Sequence, residues 1–255
     1  MKSVIVSDTG PVGIISMNRP TKRNALSADL VADLANAIVL HTANTDVRVI
    51  VLKGEGAAFC SGADLDAIQA MAEASAMENL ADSTRLKDLL QSIVECPKPV
   101  IAQVHGPAIA GGCGLASVCD IVVAGRSKAL FGYSEVRIGF IPAIVLVYLI
   151  QKVGDARARR LVLSGQLISA EEAFRLGLVS DLAEDDNLDA YVMDLAQTIA
   201  KNSGTAMALT KQMLSALHGM SAEAALTYAT SLNAFARQTD DCRAGIARFL
   251  NSNKG

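Results

Sequence analysis

The chain has 255 residues, of which 23 are basic and 26 acidic, so its formal net charge is −3. Apolar residues make up 51% of the sequence and charged residues only 19%, which excludes a disordered chain, because such chains lack the apolar surface to form a core. The nearly balanced charge gives no electrostatic reason to expect nucleic acid or a membrane surface as a partner.

The cysteines and the longest apolar run indicate where in the cell the protein is located and whether it binds a structural metal. The five cysteines are scattered and form no CxxC pair, which disfavours a disulfide framework or a structural zinc site and favours reduced, buried thiols. The N-terminus lacks the apolar segment of a signal peptide. The run at 140–150 contains Pro142 and is too short to cross a bilayer. We therefore expect a soluble, cytoplasmic protein.

The first half of the chain alternates short β-branched runs with helical segments. Two such runs around Asp8-Thr9-Gly10-Pro11 predict a hairpin, and Ser27 is a suitable N-cap for the first helix. Strands are predicted at 3–7, 12–17, 47–53, 100–104 and 121–124, and helices at 28–44, from about 64, at 77–95 and from 111. Alternating strands and helices predict a mainly parallel sheet.

Helical patterns dominate after about residue 140. Helices are predicted at 143–151, 155–164, 170–176, 187–202, 205–217, 221–238 and 239–252. The chain is therefore expected to be α/β with a helical tail. His41 falls among polar residues of the first helix and is expected to be exposed.

Two loops rich in small residues, 56–64 and 106–114, each follow a predicted strand and precede a helix. Each loop can aim one backbone N–H at the same oxygen and so form an oxyanion hole for an enolate or a tetrahedral anion. Glycine turns are also common between strands and helices, so two tight turns without chemistry are an alternative at this point.

Three familiar glycine motifs are excluded or disfavoured. Ser117 stands where a dinucleotide-binding fingerprint starting at Gly112 needs its third glycine, and no acidic residue follows at the required spacing. The P-loop pattern GxxxxGK[ST] and the nucleophile elbow GxSxG are both absent.

Glu135 is a candidate acid–base residue. It follows Ala129, Leu130 and Phe131 and precedes a nearly unbroken apolar run. A carboxyl group in apolar surroundings has a raised pKa and can exchange protons near neutrality. A salt bridge to Arg137, or a solvent-facing position, is the alternative.

Taken together, these segments resemble the crotonase (enoyl-CoA hydratase/isomerase) family over nearly the whole chain. The matching motifs, in order, are MNRP at 17–20, NAL at 24–26, AFCSGADL at 58–65, VHG at 104–106, AGGCGLA at 110–116, CD at 119–120, SAEEA at 169–173, LGLV at 176–179 and TDD at 239–241. The resemblance implies a ββα spiral at 1–195, a C-terminal helical trimerisation region at 196–255, and a homotrimer or a dimer of trimers.

The resemblance also implies an acyl-CoA thioester substrate and no metal or redox cofactor. Its residue roles place the oxyanion hole at the N–H groups of Ser61 and Gly112, with Glu135 as the proton donor. The implied CoA and acyl contacts are Lys22, Arg23, Ala25, Ala63, Asp64, Leu65, Gly111, Ile144 and Tyr148.

One departure affects the reaction. Typical hydratases of the family carry a second glutamate at the position of Gly114, and a glycine cannot hold or activate water. Hydration with Glu135 alone is the expected activity, supported by the similarity at 134–143 to a bacterial hydratase subgroup. A Δ3,Δ2-enoyl-CoA isomerase, a hydrolase or decarboxylase of the same family, and an acyl-CoA-binding protein without chemistry remain alternatives.

Overall fold

The computed structural model describes residues 3–252, except for the side chains of Leu65 and Ser252. The strands are Val4–Thr9 (β1), Val12–Met17 (β2), Val49–Gly54 (β3), Val100–Val104 (β4), Ala108–Ile109 (β5), Ile121–Gly125 (β6), Leu130–Gly132 (β7), Ile168–Ser169 (β8) and Asp181–Ala183 (β9). The helices are Ala28–Ala43 (α1), Leu65–Glu73 (α2), Ala76–Glu95 (α3), Gly111–Ser117 (α4), Ala143–Val153 (α5), Asp155–Ser164 (α6), Ala170–Leu176 (α7), Leu188–Ala200 (α8), Gly204–Ala216 (α9), Ala222–Ala236 (α10) and Asp240–Ser252 (α11). Short 3₁₀ helices span Pro20–Lys22, Glu135–Ile138 and Asp185–Asn187.

The main sheet has the strand order β1-β2-β3-β4-β6-β9. β1 and β2 form the predicted antiparallel hairpin, and every further pairing in this sheet is parallel. The predicted mainly parallel sheet is therefore confirmed. A second, smaller sheet with the order β5-β7-β8 lies beside it, and its very short strands were not predicted from the sequence.

Both faces of the main sheet are covered, as a parallel sheet requires. In β3, Ile50 and Leu52 belong to the larger apolar core, whereas Val49 and Val51 belong to a second core on the opposite side. Helix α8 covers that second side, with Leu188, Val192 and Ala196 buried. Because the carboxyl ends of parallel strands share one edge, the loops after β3 and β4 leave the sheet together.

The later helices agree with the sequence prediction to within a few residues. Helix α8 contains both residue 195 and residue 196. The predicted boundary between the spiral core (1–195) and the C-terminal helical region (196–255) therefore falls inside one helix, and this division stays a prediction. No helix within residues 3–252 is long and apolar enough to cross a membrane. The prediction that His41 is exposed is wrong: it is fully buried, with Nδ1 3.4 Å from Asp8 Oδ1.

Candidate active site

The two loops rich in small residues come together at the carboxyl edge of the main sheet. Cys60 and Ala108 form a parallel bridge, in which the Cys60 N–H donates to Pro107 O and the Ile109 N–H donates to Cys60 O. Gly62 has a φ of +89°, and a Cβ there would lie 3.0 Å from Ile109 O and 3.1 Å from Ala110 Cβ. The contact between the loops therefore requires glycine at this position.

A third segment, the loop between β2 and α1, completes the cluster. Leu26 pairs with Ala63: the Leu26 N–H donates to Gly62 O at 2.7 Å, and the Asp64 N–H donates to Leu26 O at 3.1 Å. A Cβ on Gly111 would stand 3.1 Å from Cδ1 of Leu26. Leu26 therefore contacts both candidate oxyanion loops, through its backbone on one side and its side chain on the other.

Hydrogen bonding within the first loop distinguishes its N–H groups. The Ser61 N–H donates to Arg23 O at 3.1 Å, so a thioester oxygen can reach it only by competing with that bond. The bridge to Leu26 uses the Gly62 carbonyl and the Asp64 N–H, and leaves the Ala63 N–H without an acceptor among residues 3–252. Ala63 is also exposed, so it is the better donor in this loop.

The second loop ends in the first turn of α4. Ala110 precedes it with a φ of 49° and a ψ of −123°, a strained conformation for an alanine, and its N–H donates to Gly132 O at 2.7 Å. The first backbone bond inside the helix joins the Gly114 N–H to Ala110 O, which leaves the preceding N–H groups without a helical acceptor.

Burial separates the two glycines that open α4. Gly112 is buried, and a Cβ there would come within 2.2 Å of Cys60 O, whereas Gly111 is only half-buried. The geometry therefore favours the N–H groups of Ala63 and Gly111 over those of Ser61 and Gly112 as oxyanion donors. The sequence had placed Ala63 and Gly111 among the substrate contacts; hydrogen bonding separates Ala63 from Ser61, and burial separates Gly111 from Gly112.

Glu135 begins the 3₁₀ helix that follows β7. Pairing of β7 with β5, together with the bond from the Ala110 N–H to Gly132 O, holds this segment against the start of α4. The Glu135 side chain is half-buried, and Oε2 is buried with no hydrogen-bond partner in the described part of the chain. Burial raises the pKa of this carboxyl above its ordinary value.

Helix α5 carries the predicted acyl wall and packs against α4. Ile144 and Tyr148, predicted as the acyl wall, lie one turn apart on α5, where both are half-buried and pack against the larger core. Gly114 is covered by the same helix, because a Cβ there would lie 2.0 Å from Cγ1 of Val145. This contact could not be predicted from the sequence, since the two residues are far apart in the chain.

The chain and its fold are similar to known proteins. The model of the family described as enoyl-CoA hydratase/isomerase matches residues 8–255. The chain belongs to the enoyl-CoA hydratase/isomerase family. A protein of Thermus thermophilus described as a putative enoyl-CoA hydratase is 41% identical over 95% of this chain and 96% of its own. The 2,3-dehydroadipyl-CoA hydratase of Escherichia coli is 36% identical over 98% and 96%.

Solved structures confirm the crotonase fold that the sequence predicts. The crystal structure of a putative enoyl-CoA hydratase/isomerase (crotonase) from Legionella pneumophila has a TM-score of 0.91 and 36% identity, covering 99% of this chain and 97% of that one. An enoyl-CoA hydratase from Shewanella pealeana has a TM-score of 0.93 at 29% identity, covering 98% and 94%.

The remaining predicted CoA contacts surround the loop between β2 and α1. Lys22 and Arg23 are exposed, and Lys22 Nζ lies 3.1 Å from Asp66 Oδ2. Ala25 is buried, so its side chain is not accessible to a substrate and only its backbone atoms could make the predicted contact. The Leu65 side chain lies outside the described part of the chain.

The carboxylate of Asp64 has a structural task. It is buried, lies 2.7 Å from the Arg19 guanidinium and accepts a hydrogen bond from the Asp66 N–H as the N-cap of α2. Burial alone would raise its pKa, but the hydrogen bonds from Arg19 and the Asp66 amide outweigh burial and hold that pKa below its ordinary value. Its side chain is therefore already engaged, as is its N–H, which donates to Leu26 O, and the predicted substrate contact at Asp64 stays a prediction.

Proposed function

We propose that this protein hydrates the 2,3 double bond of an enoyl-CoA thioester. The observation that carries the proposal is that Leu26 contacts both loops, next to the N–H groups of Ala63 and Gly111, which have no acceptor among residues 3–252. Both can donate to one thioester oxygen, and removing a single donor of this kind costs about 10²–10³ in rate.

Glu135 supplies the proton transfer in this proposal. Its carboxylate takes a proton from water as the water oxygen bonds to C3, while the electrons of the double bond move towards the thioester. The resulting enolate is stabilised by the N–H groups of Ala63 and Gly111. The protonated Glu135 then delivers the proton to C2, which gives the 3-hydroxyacyl-CoA and restores the carboxylate.

The names of similar proteins support this class of reaction. The relatives from Thermus thermophilus and Escherichia coli both carry a hydratase name, the latter for 2,3-dehydroadipyl-CoA. The matched model covers hydratases and isomerases together. The chemistry that we propose uses acyl-CoA and water and requires no metal or redox cofactor.

Isomerisation is the second candidate, favoured by the Val145 side chain that covers Gly114. In that reaction Glu135 takes a proton from C2 of a 3-enoyl-CoA. The electrons of the broken C–H bond form the new C2–C3 double bond, and the same carboxyl returns a proton to C4. A single carboxyl suffices for this shuttle.

We also propose that the protein assembles as a homotrimer or a dimer of trimers through its C-terminal helices, and that it is cytoplasmic. Helix α10 contains no buried residue. Leu226, Phe235 and Ile246, on α10 and α11, are more than half exposed. Large apolar side chains exposed on two consecutive helices are typical of an interface. Light scattering on the purified protein tests the mass: three or six copies agree, and a monomer contradicts the proposal.

The test of the reaction uses two substrates with purified protein. Crotonyl-CoA loses the absorbance of its conjugated thioester when it is hydrated, whereas 3-hexenoyl-CoA gains that absorbance when its double bond migrates. Rapid loss with crotonyl-CoA is the expected result. Gain with 3-hexenoyl-CoA and no loss with crotonyl-CoA would instead establish the isomerase, and no change with either would contradict both.

A further inference from the structure

The Arg19 side chain joins two segments of the candidate site. Its Nη2 lies 2.7 Å from Asp64 Oδ2, and its Nη1 donates to Ala25 O. Asp64 directly follows Ala63 in the first small-residue loop, and Ala25 directly precedes Leu26 in the loop between β2 and α1. One guanidinium therefore binds both segments at positions next to the Leu26–Ala63 pair.

The direction of the Ala63 N–H is set by that pair. The Leu26 N–H donates to Gly62 O at 2.7 Å, so this carbonyl faces Leu26. Gly62 O and the Ala63 N–H belong to one peptide unit, which is trans, and in a trans peptide the two groups point in opposite directions. The Ala63 N–H therefore points away from Leu26 and keeps its direction only while the pair is intact.

Arg19 is held in place by its own backbone. Its N–H donates to Asn24 Oδ1 at 2.9 Å, and its carbonyl accepts from the Asn24 N–H at 3.0 Å. The side chain is 22% exposed and already engages one carboxylate and one carbonyl. The guanidinium is thus fixed at its root and at its tip, as a residue that positions others must be.

Loss of the ion pair would act on Ala63 because the Asp64 carboxylate is buried. Asp64 is 3% exposed, and apart from Arg19 its Oδ2 has no partner among residues 3–252. A buried carboxylate without a partner is costly, so removal of Arg19 drives this group towards water. The Asp64 N–H donates to Leu26 O at 3.1 Å, so a shift of Asp64 disturbs the pair that orients the Ala63 N–H.

We propose that Arg19 is a positioning residue for the oxyanion hole: by binding Asp64 and Ala25 O together, it holds the Ala63 N–H where a thioester oxygen accepts from it. The proposal rests on the proposed function, since it concerns a donor that stabilises the enolate. Arg19 makes no contact with the reacting atoms in this proposal and acts on kcat through one N–H group. Misplacement of such a group by about 1 Å costs about 10² in rate.

Three variants separate the ion pair from its surroundings. Arg19→Met keeps most of the length and removes both contacts, whereas Arg19→Lys keeps the charge without the two-pronged fork. Asp64→Asn removes the negative charge and keeps an oxygen that can cap α2 through the Asp66 N–H. We expect kcat for crotonyl-CoA to fall about 10–10²-fold in Arg19→Met and Asp64→Asn, and less in Arg19→Lys, with KM changed by less than about threefold.

A double variant and a control test whether the effect belongs to this ion pair. Because the two side chains act as one unit, Arg19→Met combined with Asp64→Asn should lower kcat no further than the larger single loss. Arg126 also forms ion pairs, with Glu171 and Glu184, and is 42% exposed. Arg126→Met is therefore the matched control, and it should leave kcat unchanged.

A second readout reports on the oxyanion hole without turnover. Bound acetoacetyl-CoA ionises to an enolate that absorbs in the ultraviolet, and donors to its thioester oxygen raise the enolate fraction. We expect a smaller enolate fraction in Arg19→Met than in the wild type at the same pH, with affinity for the non-reactive butyryl-CoA nearly unchanged. A role in stability alone would lower the unfolding temperature and leave the enolate fraction of the folded protein as it is.

The outcomes separate this proposal from the one on which it rests. Lower kcat and enolate fraction in Arg19→Met, partly restored in Arg19→Lys and unaffected in Arg126→Met, agree with the proposal. A folded Arg19→Met protein with wild-type kcat and enolate fraction overturns it and leaves the proposed function intact, as does a rise in KM alone, which would assign Arg19 to CoA binding. Independent, multiplying losses in the double variant also overturn it.

Two further cases are decided by the same measurements. If Arg19→Met does not fold, Arg19→Lys and Asp64→Asn answer the question, and wild-type kcat and enolate fraction in both overturn the proposal. A wild-type protein inactive on crotonyl-CoA and on 3-hexenoyl-CoA overturns the proposed function, while the enolate fraction of bound acetoacetyl-CoA still tests the role of Arg19.

Discussion

Replacement of Asn24 by alanine should damage both stability and the active site. Asn24 is fully buried and joins two loops: Oδ1 accepts from the Arg19 N–H, and Nδ2 donates to Glu55 O and Ala58 O, each at 2.9 Å. Its φ is 53°, in the left-handed region that asparagine tolerates better than alanine.

The expected loss can be worked out from these contacts. Removing the amide leaves three backbone groups without their partner, at about 1 kcal/mol each. Holding alanine in the left-handed region costs about 1 kcal/mol more. We therefore expect Asn24→Ala to lower the free energy of unfolding by about 4 kcal/mol. Because the same loop carries Leu26, which pairs with Ala63, kcat should also fall in the protein that remains folded.

Urea unfolding measures the first effect, with kcat/KM on crotonyl-CoA as the second readout. Asn187→Ala is the matched control, because that side chain is exposed and makes no capping bond. It should change stability by less than about 0.5 kcal/mol. A loss below about 1 kcal/mol in Asn24→Ala would refute the reasoning, because it would mean that the three buried bonds contribute almost nothing.

Three further predictions concern titration and the anchoring of α9. Because Glu135 must be ionised to accept a proton and burial raises its pKa, kcat/KM should fall as pH drops through a value above 4.5; a flat profile down to that pH would contradict this. Lys211 on α9 is buried and donates to Ile93 O, Lys98 O and Asp120, so Lys211→Met should cost about 2–4 kcal/mol in urea unfolding. Burial lowers the pKa of His41, so the unfolded state binds its proton more tightly and stability should decline as pH falls below about 6.5. His41→Phe should weaken that decline, and an unchanged slope would contradict the assignment.

The fold was largely predictable because its longer elements carry strong local patterns. Ser27 caps α1 as expected, and the apolar runs at β3 and β4 are buried strands. The two-residue strands β5 and β8 carry no such pattern, because their pairing depends on neighbours that are distant in sequence. His41 was predicted incorrectly for a related reason: its burial depends on β2, where a Cβ on Gly13 would lie 2.7 Å from its ring.

The loops that form the site could be predicted from the sequence. The individual backbone N–H groups that are available to a substrate could be predicted less well. Both glycine-containing loops and Glu135 could be selected from sequence, since residue type and order carry that information. The choice between the Ser61 and Ala63 N–H groups depends on which carbonyls face them, and the Arg23 carbonyl that engages Ser61 is fixed by a left-handed backbone. No sequence pattern signals such a bond.

The most direct test of the central claim is the kcat of Glu135→Gln with crotonyl-CoA, measured beside its affinity for a non-reactive acyl-CoA. Glutamine keeps the size of the side chain but cannot accept or deliver the proton. We expect kcat to fall by about 10²–10⁴ while acyl-CoA affinity stays near that of the wild type, and the exposed Glu171→Gln variant to remain fully active. Full turnover in Glu135→Gln would contradict the account.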